Sequence, residues 1–214
     1  MDPKDLNRKS ERPYDRSGRQ ERARRQHAAV LDIARARFLD NGYAATTVES
    51  IAQAAGISAA TIYKSYGGKA GLVRALCERA LAGAGPTPAE ERSNALRSSD
   101  DPQQVLEGWG RLTVEVSPRI SPLHLLLRTA AHTDPEAAAL RDHLERQRLD
   151  RMADNAHYLA NAGHLRSGVS TADARDVLWL CSSPELYELL IERRRWTLTK
   201  YARFLTDTMK TALL

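Results

Sequence analysis

Residues 30–76 read VLDIARARFLDNGYAATTVESIAQAAGISAATIYKSYGGKAGLVRAL, and this stretch decides the fold because it places two helix signals side by side. Thr46 and Thr47 offer hydroxyl groups that can cap the start of one helix, and Gly56 can adopt the left-handed conformation that ends it. Ser58 can then cap a second helix after a very short turn. A short turn that contains Gly and joins two helices at a steep angle is the DNA-binding helix-turn-helix unit. The stretch therefore predicts such a unit.

The second helix of this unit is predicted to enter the major groove of DNA. Its residues that are short or polar enough to reach base edges or phosphates are Ala59, Ala60, Thr61, Tyr63 and Lys64. Ile62 is expected to face the domain core instead. Because the two alanines offer only apolar contact, for instance to thymine methyl groups, we expect sequence preference to depend on the polar members and on DNA shape.

Residue types at fixed positions between 38 and 72 also agree with a known pattern. The agreeing residues are Phe38, Gly42, Tyr43, Thr47, Val48, Ile51, Ala52, Ala55, Gly56, Ile57, Ser58, Thr61, Ile62, Tyr63, Tyr66, Lys69 and Leu72. In these residues the chain resembles the DNA-binding domain of TetR-family transcriptional regulators over roughly its first third. Arg37, Ser65 and Ala70 depart from the family pattern without breaking the helical periodicity.

The resemblance implies an all-helical homodimer that binds double-stranded DNA and carries a pocket for a small-molecule effector. It also implies that Thr47, Tyr63 and Lys69 hold phosphates, since hydroxyl groups, helix starts and a lysine donate to anionic oxygens. The alternative is that these residues are only caps and surface positions. The full set of predicted DNA contacts is Thr46, Thr47, Ser58, Ala59, Ala60, Thr61, Tyr63, Lys64, Lys69, Arg22, Arg24 and Arg25.

The net charge of +5 is distributed unevenly along the 214 residues. Residues 1–27 carry net +4, residues 28–80 carry +2, and residues 81–214 carry −1. A basic end joined to a nearly neutral body is typical of a protein that binds a polyanion. Because residues 1–26 contain few apolar side chains, we interpret them as a disordered arm. Its arginines, among them Arg22, Arg24 and Arg25, either contact DNA or serve only as a solubilising tail.

The rest of the chain shows helical periodicity and no sustained alternation, so the predicted fold class is all-α. Helices are expected over 26–40, from Pro102 to a stop at Ser117–Pro118, from a new start at Ser121–Pro122, and over 135–162, 171–181, 184–191 and 198–213. Glycines and prolines between 83 and 88 predict a domain boundary. The predicted domains are an arm (1–26), a helix-turn-helix domain with its linking helix (27–82), and a helical effector-binding and dimerisation domain (83–214).

Two further sets of residues are assigned in the C-terminal domain. Aromatic or polar residues among apolar neighbours are candidates for the effector pocket, although each could simply be core: Trp109, His124, Tyr158 and Trp179. Apolar residues on the last two helices are candidates for the dimer interface, as the family resemblance implies: Leu186, Leu190, Tyr201, Phe204, Leu205 and Met209.

Several classes of site find little support in the sequence. Asp150, Asp154 and His157 share one helix face, but a salt-bridged surface with Arg146 and Arg151 is the simpler interpretation than a metal site. No nucleophile elbow or phosphate-binding glycine loop indicates an enzyme or a cofactor. The two cysteines predict buried, reduced thiols, and the lack of long apolar runs predicts a cytoplasmic protein without membrane spans.

The sequence thus predicts a DNA-binding transcriptional regulator, most simply a repressor that binds a palindromic operator as a homodimer and is released by a small molecule. The alternative is a helical interaction or adaptor module in which the helix-turn-helix is only architecture. Salt-dependent binding to duplex DNA separates the two, because an adaptor would not show it.

Overall fold

The computed structural model describes residues 16–83, 85 and 87–214, and in this part of the chain every regular element is a helix. The helices are α1 (Arg16–Ala45), α2 (Val48–Ala55), α3 (Ala59–Tyr66), α4 (Lys69–Ala82), α5 (Ala89–Leu96), α6 (Pro102–Ala130), α7 (Pro135–Asn161), α8 (Thr171–Cys181), α9 (Pro184–Tyr187) and α10 (Leu198–Leu213). The predicted all-α class is confirmed. No helix in these described ranges is long and apolar enough to cross a membrane.

Two hydrophobic clusters organise the molecule, and α6 and α7 take part in both. The first cluster unites α1 to α4 with the C-terminal part of α6, where Leu123 and Leu127 are buried, and with the N-terminal part of α7, where Leu140 is buried. The second cluster unites the opposite parts of the same two helices with α8, α9 and α10, around Leu106 and Leu159. The helix-turn-helix end and the C-terminal end are therefore joined by two continuous helices rather than by a flexible linker.

The first helix begins earlier than predicted. We expected a helix over 26–40 after a disordered arm, but α1 starts at Arg16, so residues 16–26 are helical. The remainder of the predicted arm, residues 1–15, lies outside the described residues. Near the predicted end at residue 40, Gly42 has φ 81° and breaks the helical backbone, although α1 continues to Ala45. Arginine, glutamine and alanine, which favour helices, dominate 19–26, and a pattern search that relies on apolar spacing cannot detect such a segment.

Helix α6 is the second departure from prediction, because it continues through both Pro118 and Pro122. The expected stop at Ser117 does not occur. Instead, the Ser117 hydroxyl donates to the Thr113 carbonyl oxygen at 2.6 Å, and Ile120 and Leu123 beyond it are buried. Proline removes one backbone donor and crowds the preceding turn at a cost of about 3 kcal/mol. Burial of the apolar residues on this part of α6 offsets that cost.

The other predicted helix starts agree with the structure. Asp134 and Ser170 cap α7 and α8. Helix α9 begins at Pro184 as expected and passes into a π-helical segment, Glu188–Arg193. Helix α5 (Ala89–Leu96) was not predicted; it has no buried residue of its own, which explains why its apolar pattern is weak.

Both cysteines are buried and free, in agreement with the predicted reduced thiols. Burial raises the pKa of Cys77 to about 12 and that of Cys181 to about 11. The reactive species of a cysteine is its thiolate, so neither side chain is primed for redox chemistry.

Candidate nucleic-acid interface

The turn between α2 and α3 is built by the residues that the sequence indicates. The Thr47 hydroxyl accepts a hydrogen bond from the Ser50 amide at 3.0 Å and caps α2. Gly56 ends that helix in the left-handed conformation, with φ 66°. The Ser58 hydroxyl accepts from the Thr61 amide at 3.2 Å and caps α3. The predicted helix-turn-helix is confirmed down to its capping groups.

Helix α3 is anchored on one face and exposed on the other. Ile62 is fully buried in the cluster with α1, α2 and α4. Around it, the exposed residues of α3 are Ala60, Thr61, Tyr63, Lys64 and Ser65, while Ala59 is partly buried. Half of the Tyr63 side chain remains accessible, although tyrosine usually loses more of its surface in a folded domain. The predicted recognition residues thus form a polar surface next to the helix start.

A glycine that sequence reasoning missed sets the distance between α3 and α4. A Cβ atom at Gly71 would lie 1.5 Å from the Tyr66 carbonyl oxygen. Any other residue there would push the first turn of α4 away from the last turn of α3. The available signal was a glycine inside a helical pattern, which often marks close backbone approach.

Thr46 does not belong to this surface, and its assignment as a DNA contact is wrong. Its side chain is 1% exposed, and its hydroxyl donates to the carbonyl oxygens of Gly42 at 2.8 Å and Arg37 at 3.0 Å. It therefore ties the break in α1 to the start of α2. Its neighbour Thr47 points outward and is the actual cap.

Lys69, at the start of α4, is held by Tyr43. Its Nζ donates to the Tyr43 carbonyl oxygen at 3.0 Å and lies 4.3 Å from the centre of the Tyr43 ring. An ammonium group has three donors, so this anchoring leaves two for an anion. Burial, with Asp134 and Glu136 nearby, raises the pKa of Tyr43 to about 12, so the ring stays neutral beside the lysine.

The basic residues ahead of the core project from the first turns of α1. Arg22, Arg24 and Arg25 are exposed, and Glu21 pairs with Arg24 at 2.6 Å and with Arg25 at 3.5 Å. Exposed pairs of this kind contribute little free energy and break readily in favour of another anion. Sequence reasoning also missed a contact between His27 and Tyr66. The Nδ1 atom of His27 lies 3.0 Å from the Tyr66 hydroxyl and links α1 to the end of α3.

The four predicted effector residues separate into two pairs. The rings of Trp109 and Tyr158 meet edge to face at 6.2 Å, with the indole NH donating to the Ser93 carbonyl oxygen and the phenol to that of Ser99. His124 instead lies 3.6 Å from Glu145.

Glu145 in turn pairs with Arg148 at 2.8 Å, and the guanidinium of Arg148 covers the ring of Trp179. Trp109 is core, as its alternative interpretation allowed, while Trp179 is exposed.

Three of the six residues predicted for the dimer interface are instead buried within the protomer. Tyr201 and Leu205 are fully buried and Met209 is 3% exposed, since all three face the second hydrophobic cluster. Phe204 remains 37% exposed. Leu186 and Leu190 are partly buried against the same cluster. The exposed large apolar residues of this end are Trp179, Leu180, Leu189, Leu198 and Phe204.

The carboxylates of α7 do not gather around His157. The Nδ1 atom of His157 lies 2.8 Å from the Ala153 carbonyl oxygen, and Arg151 pairs with Glu90 of α5 at 3.7 Å. Within the described residues, no group of three or more His, Cys, Asp or Glu side chains could hold a metal ion.

Residues 30–76 match the family model described as "Bacterial regulatory proteins, tetR family". No curated protein sequence matches the chain. Among solved structures, the SmeT–triclosan complex is 21% identical, with a TM-score of 0.68 over 89% of this chain and 92% of that one. NalD, the secondary repressor of the MexAB-OprM multidrug efflux pump in Pseudomonas aeruginosa, is 21% identical, with a TM-score of 0.68 over 91% and 98%. GusR of Salmonella enterica is 16% identical, with a TM-score of 0.63 over 88% and 95%. At such identities, these likenesses establish the fold.

Proposed function

We propose that this chain, which belongs to the tetR family of bacterial regulatory proteins, binds a palindromic operator as a homodimer and represses transcription until a small molecule releases it. The observation that carries the proposal is the exposed polar start of α3, capped by Ser58 and anchored by Ile62. A helix presented in this way fits the major groove, and its N-terminal amides and hydroxyl groups can donate to phosphates. The proposed contacts are Thr47, Ser58, Ala59, Ala60, Thr61, Tyr63, Lys64, Lys69, Arg22, Arg24 and Arg25.

A homodimer is supported by the exposed apolar residues at the C-terminal end. Trp179 and Leu180 on α8, Leu189 on the π-helical segment, and Leu198 and Phe204 at α10 are all more than a third exposed. Helix α10 contacts both α8 and the π-helical segment, and exposed large apolar residues on neighbouring elements favour an interaction surface. A twofold axis through this end would place two α3 helices in successive major grooves, about 34–36 Å apart, and the operator would then be palindromic.

Release by a small molecule is supported by the way the two ends are joined. Helix α4 begins beside α3 and packs along α6, and α6 also carries Trp109 in the second cluster. A cleft of about 290 Å³ lies between α5 and α6 and is lined by Arg92, Leu96, Gly108, Arg111, Leu112 and Glu115; none of the four predicted effector residues lines it. SmeT, with the same fold, was solved in complex with triclosan, and a small molecule in this C-terminal cleft is the proposed effector.

In this proposal the effector tilts α4 and changes the separation of the two recognition helices. A coupling of about 1–3 kcal/mol between the two sites changes DNA affinity by roughly 5 to 150-fold. Structures with and without effector should differ in the distance between the two Tyr63 residues of the dimer. Equal distances would exclude the tilt.

Binding to the DNA that flanks the gene of this protein tests the function directly. Footprinting should reveal a palindromic protected site, and the affinity should fall steeply with salt. Lys64→Ala removes one proposed phosphate contact per protomer and should flatten the slope of log affinity against log salt by about 1.8 units per dimer. Lys200→Ala, at an exposed lysine on α10, is the matched control and should leave the slope unchanged. Retention on duplex DNA without salt dependence would favour the adaptor alternative.

A further inference from the structure

A second cleft lies between the helix-turn-helix end and the C-terminal end, at a place that the proposed function does not use. It has a volume of about 290 Å³ and is lined by Arg35 of α1, Leu76, Arg79 and Ala80 of α4, Gly83, and Arg119 of α6. Its wall thus combines three guanidinium groups with a short apolar strip. The volume is at the lower end of the range for ligand pockets, so it suits a small ligand.

The acidic side chains around this cleft neutralise its arginines only in part. Asp32 pairs with Arg79 at 2.8 Å. Glu115 lies 3.4 Å from Arg119, but it accepts two shorter hydrogen bonds from Arg92, at 2.7 and 2.8 Å. Arg35 makes no ion pair with any of the residues that the structure describes. The cleft therefore holds an excess of positive charge.

Duplex DNA does not account for this charge. Arg79 stands ten residues after Lys69 on α4, and a rise of 1.5 Å per residue places it about 15 Å farther along the helix. The Arg79 guanidinium also donates to the Ala28 carbonyl oxygen at 3.4 Å, which holds it against α1. The cleft is at the end of α4 that leads away from α3.

Arginine is suited to small anions because its planar guanidinium can donate two parallel hydrogen bonds to a carboxylate or a phosphate. Arg35 and Arg119 approach the cleft from different helices, and Leu76 and Ala80, both nearly fully buried, provide an apolar floor beside them. We propose that this cleft binds a small organic anion, with its carboxylate or phosphate group between Arg35 and Arg119 and its apolar part against Leu76 and Ala80.

Such an anion would also affect the position of α4. Arg35 and Leu76 belong to helices of the first cluster that carry α3, whereas Arg119 belongs to α6. A ligand held by both would fix the angle between α4 and α6. This consequence rests on the proposed function, but the binding of the anion does not.

Calorimetry on the full chain without DNA tests the site itself. Inorganic phosphate and hexanoate are the anionic probes, and hexanol is the neutral probe with the same alkyl chain. We expect saturable binding of at least one anion at a ratio of one per protomer, and none of hexanol. Binding of phosphate alone would identify a phosphate group as the recognised chemistry, and binding of hexanoate alone a carboxylate with an apolar tail. A chain that binds neither anion overturns the proposal.

The double variant Arg35→Gln, Arg119→Gln should weaken binding of the anion at least about tenfold, because it removes both charged donors proposed to hold the anionic group. Arg203→Gln, at an exposed arginine on α10, is the matched control and should bind as the wild type does. Circular dichroism establishes that both variants are folded. An unchanged Kd in the folded double variant would place the anion elsewhere and refute the assignment.

DNA affinity, measured with saturating anion and with chloride at the same ionic strength, tests the coupling. A change of 5-fold or more that disappears in the double variant shows that the cleft acts on α4. Unchanged DNA affinity together with one-to-one anion binding would retain the site and remove its regulatory consequence. Loss of DNA binding under all conditions would contradict the proposed function while leaving the calorimetric result intact.

Discussion

Thr46 and Thr47 show at the scale of single residues how the interface is divided between support and contact. The hydroxyl of Thr46 is directed into the domain. It donates to the carbonyl oxygen of Gly42, where α1 is broken, and to that of Arg37, which lies before the break. That of Thr47 caps α2 from the exposed side. One residue therefore holds α2 in position, and the other is available to a phosphate.

Thr46→Val should lower the free energy of unfolding by about 1–3 kcal/mol, because it removes a buried donor and leaves two carbonyl oxygens without it. DNA affinity should be unchanged at temperatures where the variant is folded. Thr47→Ala is the matched control; it should lower stability by about 1 kcal/mol through loss of the cap. Urea denaturation and binding titrations measure both quantities. A tenfold loss of DNA affinity in folded Thr46→Val would return this residue to the interface.

Glu145 on α7 is the residue with the clearest dependence on pH. His124 at 3.6 Å and the guanidinium of Arg148 at 2.8 Å lower the pKa of its carboxyl group from 4.5 to about 2. A carboxyl group with a lowered pKa stabilises the folded state fully above its unfolded pKa. This contribution is lost as the pH falls from about 4.5 towards 2.

Glu145→Gln should therefore be less stable than the wild type by about 1 kcal/mol at pH 7, given that the side chain is partly exposed. The difference should narrow below pH 4.5. Urea denaturation between pH 7 and pH 3 measures it. Asp142→Asn, at an exposed carboxylate on the same helix, is the control and should show a smaller deficit at pH 7. A deficit for Glu145→Gln that stays constant down to pH 3 would show that packing, and not charge, is lost.

At the scale of elements, residues 22–29 form part of a helix although none of their side chains is buried. Val30 is the first fully buried residue of α1, and the side chains described between 22 and 29 are all exposed. The tertiary contacts of this segment are polar and lie at its C-terminal end, where His27 meets the Tyr66 hydroxyl and the Ala28 carbonyl oxygen accepts from Arg79. Ahead of these contacts, Arg22, Arg24 and Arg25 are helical and exposed, which suits a contact with DNA beside the groove that α3 is proposed to enter.

Replacing Arg22, Arg24 and Arg25 together by Ala should flatten the slope of log affinity against log salt by roughly two to four units per dimer, which corresponds to the loss of two to four phosphate contacts at about 0.9 each. Glu21→Gln is the opposite test: it frees Arg24 and Arg25 from their acidic partner and should raise DNA affinity. Circular dichroism and sedimentation should show folded dimers in both cases. Equal slopes for the triple variant and the wild type would mean that the segment is only a solubilising tail.

At the scale of the whole molecule, α6 and α7 connect two cores that would otherwise be separate domains. Gly108 and Gly110 let other helices approach α6 closely, since a Cβ atom at these positions would lie 2.5 Å from Leu96 and 2.6 Å from Thr206. Helix α6 also contacts α4, so it links the C-terminal packing to the helix that begins beside α3. This rigid connection supports control of the DNA-binding end from the C-terminal end.

Replacing Leu180 and Phe204 together by Glu should produce monomers, because charged residues would face each other across the proposed apolar interface. Both side chains are more than a third exposed, so the protomer should remain folded. Leu81→Glu, at an exposed leucine on α4, is the matched control and should remain dimeric. Sedimentation velocity distinguishes the two states. A double variant that stays dimeric would place the interface on another surface.

The sequence by itself determined the elements whose signals are local. Thr47, Gly56 and Ser58 specify the helix-turn-helix because a cap or a left-handed turn depends on one residue and its immediate neighbours. The helix starts at Pro135, Thr171 and Leu198 follow from the same kind of signal. The match of residues 30–76 to the family agrees with this local specification.

Only the tertiary structure decided which of several equivalent side chains face inward. A helical apolar stripe such as Tyr201, Leu205 and Met209 has the same spacing whether it faces its own core or a second subunit, and here it faces the core. Helix α6 passes Pro118 because packing against distant helices outweighs a local preference. The cleft of Arg35, Arg79 and Arg119 joins residues from three helices, so no local pattern could reveal it.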